Sequence, residues 1–207
     1  TELGYAEADP TADIEGLDAG RKVSIIASIA FNSRVSFDDV VTEGITKLSA
    51  HDIRYAKEMG CTIKLIGMAH SDGKAIEAYV APMLIPENHP LASVNDSYNA
   101  VFVRGDAVDD AMFLGRGAGE LPTASAVVGD VFDVARNIVH GCNGRISCTC
   151  FKHLPIVPMD DVYSKYFLRV EVEDKIGVLA DMADVFAGLQ VSVEQIIQKR
   201  KRGDSTD

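Results

Sequence analysis

The order of polar and apolar positions divides the first sixty residues into an acidic opening and two helices. An almost wholly apolar run at 23–31 follows the acidic residues abruptly, so we predict a helix over 17–31. Ser49 has the features of a helix N-cap, with Asp52 at the capping-box distance, and Gly60 stands where a terminating glycine belongs. We therefore predict a second helix between Ser49 and Gly60.

Alternating apolar residues indicate strands in the middle of the chain. The run at 62–69, a Ser-Asp-Gly turn at 71–73 and the alternation at 76–80 predict an antiparallel hairpin. Two shorter strands are expected at 100–104 and 111–114. The stretch after the hairpin is expected to be loop because prolines interrupt it, at Pro82, Pro86 and Pro90.

Glycines precede the longest predicted helix. The sequence Gly-Arg-Gly-Ala-Gly at 115–119 predicts a tight turn before a helix over 123–138, with Pro122 near its first turn. Because strands and helices occur without regular βαβ alternation, we predict an α+β fold. Its sheet is expected to be mixed or antiparallel, with helices packed on one face.

The remainder of the chain changes in composition and then becomes periodic again. Glycine, cysteine, proline and histidine are frequent from 139 to 164. A strand at 166–173, a helix at 178–189 and a strand at 191–198 would form one βαβ unit. Since two strands are marginal alone, this unit is expected to pair with another copy or to be half of a larger module. The predicted domains are 1–140, a linker at 141–164, and 165–207.

Composition and charge narrow the possible partners. A net charge of −11 argues against nucleic acid, which binds basic surfaces. No apolar run approaches the roughly 20 residues of a membrane helix, and the acidic beginning is unlike a signal peptide. We therefore expect a cytoplasmic protein that binds neither nucleic acid nor membrane. Since the chain begins without Met and ends in a charged tail, we expect both ends to be cut from a longer protein.

Cysteines and histidines form no recognisable ligand pattern. The cysteines are Cys61, Cys142, Cys148 and Cys150, and none has a histidine at zinc-like spacing. Reduced thiols are the favoured interpretation, and a metal or redox role for the last three is the less favoured one. No metal site is predicted, and no histidine is assigned a role.

The candidate chemistry lies in the acidic opening. Asp18 and Lys22 are i,i+4 neighbours on the first predicted helix. They are either an ordinary surface ion pair or, if the apolar context buries the lysine, a candidate acid–base group. Three further carboxylates form either a solvated loop or a site in which one of them holds a substrate ammonium group: Glu7, Asp9 and Asp13.

The glycine turn at 115–119 is a second, weaker candidate. A glycine-rich turn at a helix N-terminus exposes backbone N–H groups that can receive an anion. The turn lacks GxGxxG spacing and the βαβ context of a dinucleotide site. A close-packing turn is favoured unless a partner domain supplies the main cofactor site.

Three stretches resemble the homoserine dehydrogenase family. They are LGYAEADPTADIEGLDAGRK at the start, VTEGITKLSAHDI in the middle and GRGAGELPTASAVVGD before the last long helix. This resemblance covers roughly residues 1–140. The tail, with VEDKIGVLADMADVF, resembles the first half of an ACT domain, an amino-acid-sensing module of many of these enzymes.

The resemblance implies a function and a set of site residues. The family interconverts L-aspartate 4-semialdehyde and L-homoserine with NADP or NAD, on the route to threonine, methionine and isoleucine. Lys22 matches the residue that handles the proton of the reacting oxygen. Four residues match substrate-binding positions: Tyr5, Glu7, Asp13 and Asp18. Two glycines match positions that contact the cofactor: Gly4 and Gly119.

The sequence also departs from the family. Arg116 stands where proline is usual, and Gly20 replaces a usual alanine, which should weaken the helix by up to ~1 kcal/mol. The family's nucleotide-binding domain, with its GxGxxG motif, and its loop for a monovalent cation are not in this sequence. We therefore expect a substrate-binding and dimerisation domain with a partial ACT domain, inactive alone. The resemblance further implies a homodimer or higher homo-oligomer, with threonine as a candidate effector. The rival hypotheses are a non-catalytic amino-acid sensor and a dimerisation module.

Overall fold

The computed structural model describes residues 9–142 and 148–199, which fall into two compact units. The first unit extends to Phe167 and the second begins at Leu168. The fold is α+β, as predicted.

Three helices stand in the N-terminal part of the first unit. They are α1 (Thr11–Ile14), α2 (Leu17–Phe31) and α3 (Ala50–Glu58). The predicted bounds of α2 are confirmed. The predicted capping box of α3 is also confirmed, since the Ser49 N–H donates to Asp52 Oδ2 at 2.8 Å and the Asp52 N–H donates to Ser49 Oγ at 3.3 Å.

A mixed three-stranded sheet lies behind α2. Its strands are β1 (Val41–Thr42), β2 (Cys61–Ser71) and β3 (Ile76–Pro86), in the order β1-β3-β2. β2 and β3 form the predicted antiparallel hairpin, and β1 pairs in parallel with β3. The sheet is therefore mixed, one of the two forms expected.

The prolines of β3 correct one prediction. Pro82 and Pro86 lie in the strand, opposite Leu65 and Cys61 of β2, rather than in a loop. The Ile76 N–H donates to Pro155 O and therefore points away from β2. Since backbone groups alternate in direction along a strand, the even-numbered residues of β3, including Pro82 and Pro86, also point away from β2. Proline therefore removes no β2–β3 hydrogen bond at these positions.

A separate hairpin and a long helix follow the three-stranded sheet in the first unit. β4 (Tyr98–Gly105) pairs antiparallel with β5 (Asp109–Arg116), so both predicted strands exist and are longer than expected. α4 (Glu120–Val139) begins three residues before its predicted start because its first turn accommodates Pro122. None of its residues is buried.

The core of the first unit lies between α2 and the sheet. Val23 and Ala27 of α2 are buried against Ile76, Ala78 and Val80 of β3. A Cβ atom at Gly67 of β2 would lie 2.2 Å from Val23 Cγ2. The helix therefore approaches the sheet closely at a position that only glycine fills.

The described part of the predicted linker is packed into this core. The Lys152 N–H donates to Asn32 O at 2.8 Å, and the Val157 N–H donates to Ile76 O at 2.8 Å. Val162 is buried. Residues 148–164 therefore belong to the first unit, and the division between the units falls after Phe167 rather than at 140 and 165.

The second unit contains the predicted helix without the predicted strands. α5 (Val178–Gly188) confirms the helix at 178–189. Within the described residues of the tail, neither 166–173 nor 191–198 is a strand. The predicted βαβ unit is therefore wrong for these residues. Alternation of apolar and polar residues gives a stable strand only where another strand pairs with it.

Acid should destabilise the first unit through Asp39, in the short 3₁₀ turn Phe37–Asp39. The Ser36 hydroxyl and then the Ser36 N–H, donating at 2.6 and 2.7 Å, lower the pKa of this carboxyl. Because the folded pKa is depressed, the stabilisation is present above the ordinary value of about 3.9 and is lost as pH falls through the folded value.

We therefore expect the free energy of unfolding to fall more steeply below pH ~4 in the native chain than in Asp39→Asn. Urea unfolding at several pH values measures this. Asp38→Asn, one residue away, is the control and should keep the native slope. Equal slopes for Asp39→Asn and the native chain would contradict the prediction.

Candidate active site

Asp18 and Lys22 meet on the first turns of α2. Lys22 Nζ lies 2.7 Å from Asp18 Oδ2, as the i,i+4 spacing predicts. The lysine side chain is 56% exposed and the aspartate side chain 45%. Of the two alternatives that the sequence left open, the pair has the geometry of a surface ion pair, and the apolar context does not bury the lysine. Both charges face solvent, where a ligand can reach them.

The reason is that α2 buries only one of its faces. Its buried residues are Gly20, Val23, Ser24 and Ala27. The opposite face is exposed although it is apolar, at Ile25, Ile26 and Ile29. The long apolar run therefore does not mean that the helix is surrounded, and Lys22 stands on the exposed side.

Two of the nearby carboxylates have different surroundings. Asp9 Oδ1 accepts the hydroxyl of Thr11 at 2.6 Å and its N–H at 3.0 Å, and these bonds lower the Asp9 pKa. Asp9 therefore stabilises the start of α1. Asp13 lies in the same short helix and is exposed, so its carboxylate is accessible.

Two glycines position the link between α1 and α2. Gly16 precedes α2 with a φ of 76°, and a Cβ atom there would lie 2.9 Å from Val80 Cγ1. A Cβ atom at Gly44 would lie 2.4 Å from Ile14 O, and the Ile45 N–H donates to that oxygen at 2.8 Å. The acidic segment is thus held against the residues that follow β1.

Gly44 is a positioning residue that the sequence reasoning did not assign. It belongs to the VTEGITKLSAHDI stretch, which carried the family resemblance without any residue role. A glycine inside such a stretch is a signal of close backbone approach, and that signal could have identified it.

Three predicted site residues lie outside the described residues: Gly4, Tyr5 and Glu7. Their roles remain predictions.

Gly119 stands in another part of the first unit, at the start of α4. It has a φ of 113°, and no side chain caps the N-terminus of that helix. Arg116 of the same turn lies over the Tyr98 ring, 4.9 Å from its centroid, and donates to Ser97 Oγ at 2.8 Å. The arginine that replaces the usual proline is therefore held against the beginning of β4.

The second unit carries an apolar cleft of its own. Its volume is about 330 Å³, and it is lined by Val178, Asp181, Met182, Val185 and Phe186 of α5. Nothing in the lining except Asp181 is charged, so the cleft suits an apolar surface better than a zwitterion.

The described part of the chain contains neither a metal-binding cluster nor a membrane-spanning helix. Among residues 9–142 and 148–199, no group of three or more His, Cys, Asp or Glu side chains could hold a metal ion. No helix in that part of the chain has both the length and the apolar character needed to cross a membrane.

The fold and the exposed Asp18–Lys22 pair define an α+β domain with a charged surface site. The family model for homoserine dehydrogenase matches residues 1–132. The chain belongs to the homoserine dehydrogenase family, which confirms the resemblance of the three sequence stretches.

Relatives cover almost the whole chain. Homoserine dehydrogenase from Corynebacterium glutamicum is 49% identical over 210 residues, covering 99% of this chain and 47% of that protein. The Bacillus subtilis enzyme is 42% identical, covering 98% and 47%. The crystal structure of a homoserine dehydrogenase from Thiobacillus denitrificans matches with a TM-score of 0.82 and 41% identity, covering 96% of this chain and 47% of that one. The chain thus spans about half the length of the curated relatives it matches.

Gly20 should be a packing requirement as well as a weak helix former. A Cβ atom there would lie 2.8 Å from Phe37 Cε2 and 2.9 Å from Thr42 Cγ2. Gly20→Ala gains up to ~1 kcal/mol of helix propensity and loses ~1–3 kcal/mol to overpacking. We expect a net loss of ~1 kcal/mol in urea unfolding.

Gly129→Ala is the matched control for Gly20→Ala. Gly129 lies inside α4, and a Cβ atom there would meet nothing within 4 Å. This variant should gain stability or leave it unchanged. If Gly20→Ala gained as much stability as Gly129→Ala, the prediction would be contradicted. Phe37 and Thr42 would then move away from the added Cβ atom without loss of stability.

Proposed function

We propose that this chain is the substrate-binding part of an enzyme that interconverts L-aspartate 4-semialdehyde and L-homoserine with NADP or NAD. The observation that carries the proposal is the Asp18–Lys22 ion pair, solvent-facing on α2 and directly after the acidic α1 segment. Membership of the homoserine dehydrogenase family supports it.

The two charges suit the two ends of this substrate. A lysine can give a proton to the oxygen of an aldehyde as it becomes an alcohol and can take it back in the reverse direction. A carboxylate can hold the ammonium group of an amino acid. We assign the first role to Lys22, and we assign substrate binding to Asp18 together with Asp13, Glu7 and Tyr5.

Asp18 has a second consequence for Lys22. At 2.7 Å it holds the ammonium group in one position on the exposed side of α2. Because Lys22 and Asp18 are exposed in this chain, another surface must exclude water from them when substrate is bound. We propose that a cofactor-binding domain of the kind found in the family provides that surface.

The glycine turn before α4 fits one end of a nicotinamide cofactor. The N-terminus of α4 has no side-chain cap, and Gly119 leaves its backbone open to approach. Glu120, the first residue of the helix, adds a negative charge that disfavours a phosphate. We therefore propose that Gly119, together with Gly4, contacts a neutral polar group of NADP or NAD. When bound, the reduced cofactor would donate a hydride to the aldehyde, and the oxidised cofactor would accept one from the alcohol.

A chimeric enzyme tests this function. Residues 1–207 replace the matching region of the Corynebacterium glutamicum relative, and L-homoserine-dependent reduction of NADP and NAD is measured. We expect turnover by the chimera and none by the isolated chain. A chimera that is folded by circular dichroism and binds NADP but does not oxidise L-homoserine would contradict the proposal.

The exposed hairpin points to self-association. Two adjacent strands expose apolar side chains that a monomer would leave in water: Val101, Val103, Met112, Phe113 and Leu114. We propose that a second copy of the chain covers this surface, giving a homodimer. Sedimentation analysis of the native chain and of Phe113→Glu tests this, and an unchanged molecular mass in the variant would contradict it.

Amino-acid sensing by the tail is the second candidate function. The family resemblance of 165–207 to part of an ACT domain motivates it, and threonine is the proposed effector. Calorimetry of the chimera with L-threonine and L-homoserine separates the two functions. Binding of threonine without binding of homoserine would favour the sensor.

A further inference from the structure

The glycine turn at 115–119 is attached to the residues at the beginning of β4. The Gly117 N–H donates to Ser97 O at 3.0 Å, which continues the β4–β5 pairing by one residue. The side-chain amide of Asn99 occupies the space that a Cβ atom would take at Gly117. The backbone of the turn therefore lies directly against β4 before it reaches Gly119.

Arg116 adds side-chain contacts between the same two strands. Since Gly117 and Ser97 form a hydrogen-bonded pair and pairs alternate, Arg116 and its partner Tyr98 form a non-hydrogen-bonded pair. Side chains lie closer together in such a pair. The guanidinium carbon of Arg116 lies 4.9 Å from the centroid of the Tyr98 ring, and its Nη1 donates to Ser97 Oγ at 2.8 Å. One side chain thus contacts two consecutive residues of the opposite chain segment.

The segment that Arg116 contacts is itself held by the three-stranded sheet. Lys64 of β2 donates from Nζ to Val94 O at 2.6 Å and to Asn95 Oδ1 at 2.8 Å. The Tyr98 N–H donates to Asn95 O at 3.2 Å. Hydrogen bonds therefore lead without interruption from the sheet to the residues that Arg116 contacts.

We propose that Arg116 is a positioning residue that holds the glycine turn in the conformation that meets the cofactor. The inference rests on the proposed contact between Gly119 and NADP or NAD. The turn has glycine at every second position, so its backbone is intrinsically free to adopt other conformations. A ligand that requires one conformation binds in proportion to the fraction of molecules that adopt it. By holding the turn against Ser97 and Tyr98, Arg116 raises that fraction without contacting the cofactor.

Proline could fill the same role at this position by a different means. The proline ring fixes φ near −65° and removes the backbone N–H. In a non-hydrogen-bonded pair the N–H of Arg116 points away from β4, so proline would remove no β4–β5 hydrogen bond. The preceding residue, Gly115, is already extended because it lies in β5, as a following proline requires. Arg116 thus restricts the turn through side-chain contacts, whereas proline would restrict it through its ring.

Steady-state kinetics of the chimeric enzyme test the effect on the cofactor. In Arg116→Ala we expect the KM values for NADP and for NAD to rise by the same factor, about 2- to 5-fold, which corresponds to the loss of an exposed cation–π contact. At saturating cofactor kcat should stay near its native value, because bound cofactor selects the correct turn. Arg116→Pro should restore both KM values.

Arg104→Ala is the matched control for Arg116→Ala. Arg104 is an exposed arginine of the same hairpin, and its Nε donates to Asp110 Oδ1 at 2.7 Å. It lies at the other end of β4 from the glycine turn. This variant should therefore leave both cofactor KM values unchanged.

Amide hydrogen exchange in the native chain tests the effect on the turn without any cofactor. The Gly117 N–H should exchange several-fold faster in Arg116→Ala than in the native chain, because its bond to Ser97 O opens more often. Exchange in Arg116→Pro and Arg104→Ala should be native.

Three results would overturn the inference. They are native cofactor KM values in Arg116→Ala, native exchange at Gly117 in that variant, and a KM that rises for NADP alone. The last result would mean that the guanidinium binds the additional phosphate of NADP. A native chimera without turnover would instead contradict the proposed function, and exchange at Gly117 would still decide whether Arg116 holds the turn.

Discussion

Lys22→Ala is expected to lower the kcat of the chimeric enzyme by roughly 10²- to 10⁴-fold, with a smaller change in KM. The reason is that Lys22, on the exposed side of α2 and paired with Asp18 at 2.7 Å, is assigned the proton of the reacting oxygen. An interaction used in the transition state lowers kcat when it is removed, whereas loss of uniform binding raises KM. Steady-state oxidation of L-homoserine, with NADP in excess, measures both constants.

Two further variants separate proton transfer from charge and from stability. Lys22→Arg keeps the positive charge with a group that does not give up its proton, so kcat should remain low. Lys47→Ala removes another exposed lysine with an i,i+4 partner, Glu43 at 3.4 Å, and should leave kcat unchanged. These two variants and Lys22→Ala should each alter the free energy of unfolding by no more than ~1 kcal/mol. A near-native kcat in Lys22→Ala would remove Lys22 from the proposed role.

Gly44→Ala should be the most damaging of the small substitutions in the first unit. The added Cβ atom would lie 2.4 Å from Ile14 O and 2.6 Å from Glu15 Cα, both backbone atoms. Backbone cannot rotate aside as a side chain can, so the segment between α1 and α2 must move. We expect the free energy of unfolding to fall by at least ~2 kcal/mol, in the upper part of the ~1–3 kcal/mol range of overpacking substitutions. Urea unfolding followed by circular dichroism gives this value.

Gly115→Ala is the control for Gly44→Ala. Gly115 lies in β5, where a Cβ atom would meet nothing within 4 Å, and its substitution should change stability by less than ~0.5 kcal/mol. In the chimera, Gly44→Ala should also raise the KM for L-homoserine, because Asp13 directly precedes the displaced Ile14 and Glu15. If the Gly44→Ala chain were as stable as Gly115→Ala, the prediction would be contradicted, because the backbone at Ile14 would then move away without loss of stability.

Local signals in the sequence identified the elements that depend mainly on their own residues. The helix at 17–31 and the capping box of Ser49 and Asp52 follow from side chains within one or two turns, so they were predictable. The β2–β3 hairpin was predictable because its turn and alternation are adjacent in the chain. The family followed from motifs, and so did the pairing of Asp18 with Lys22, which needs only helical spacing.

Contacts between distant residues decided the rest. Whether Pro82 could lie in a strand depended on which side of β3 faces β2. Residues 148–164 were predicted to be linker, but Lys152 and Val157 hydrogen-bond to Asn32 at the end of α2 and to Ile76 at the start of β3. The strands predicted at 166–173 and 191–198 did not form, because alternation alone supplies no pairing partner.

The candidate site shows the same division between sequence and tertiary structure. The sequence by itself determined that a lysine and an aspartate share one helix and that acidic residues precede them. Only the tertiary structure decided that Lys22 faces solvent, because burial of α2 depends on which of its two apolar faces meets the sheet. It also decided that Gly44 holds the acidic segment in place. The glycine itself is visible in the sequence, but the residue it approaches is about thirty positions away, and no local pattern identifies that partner.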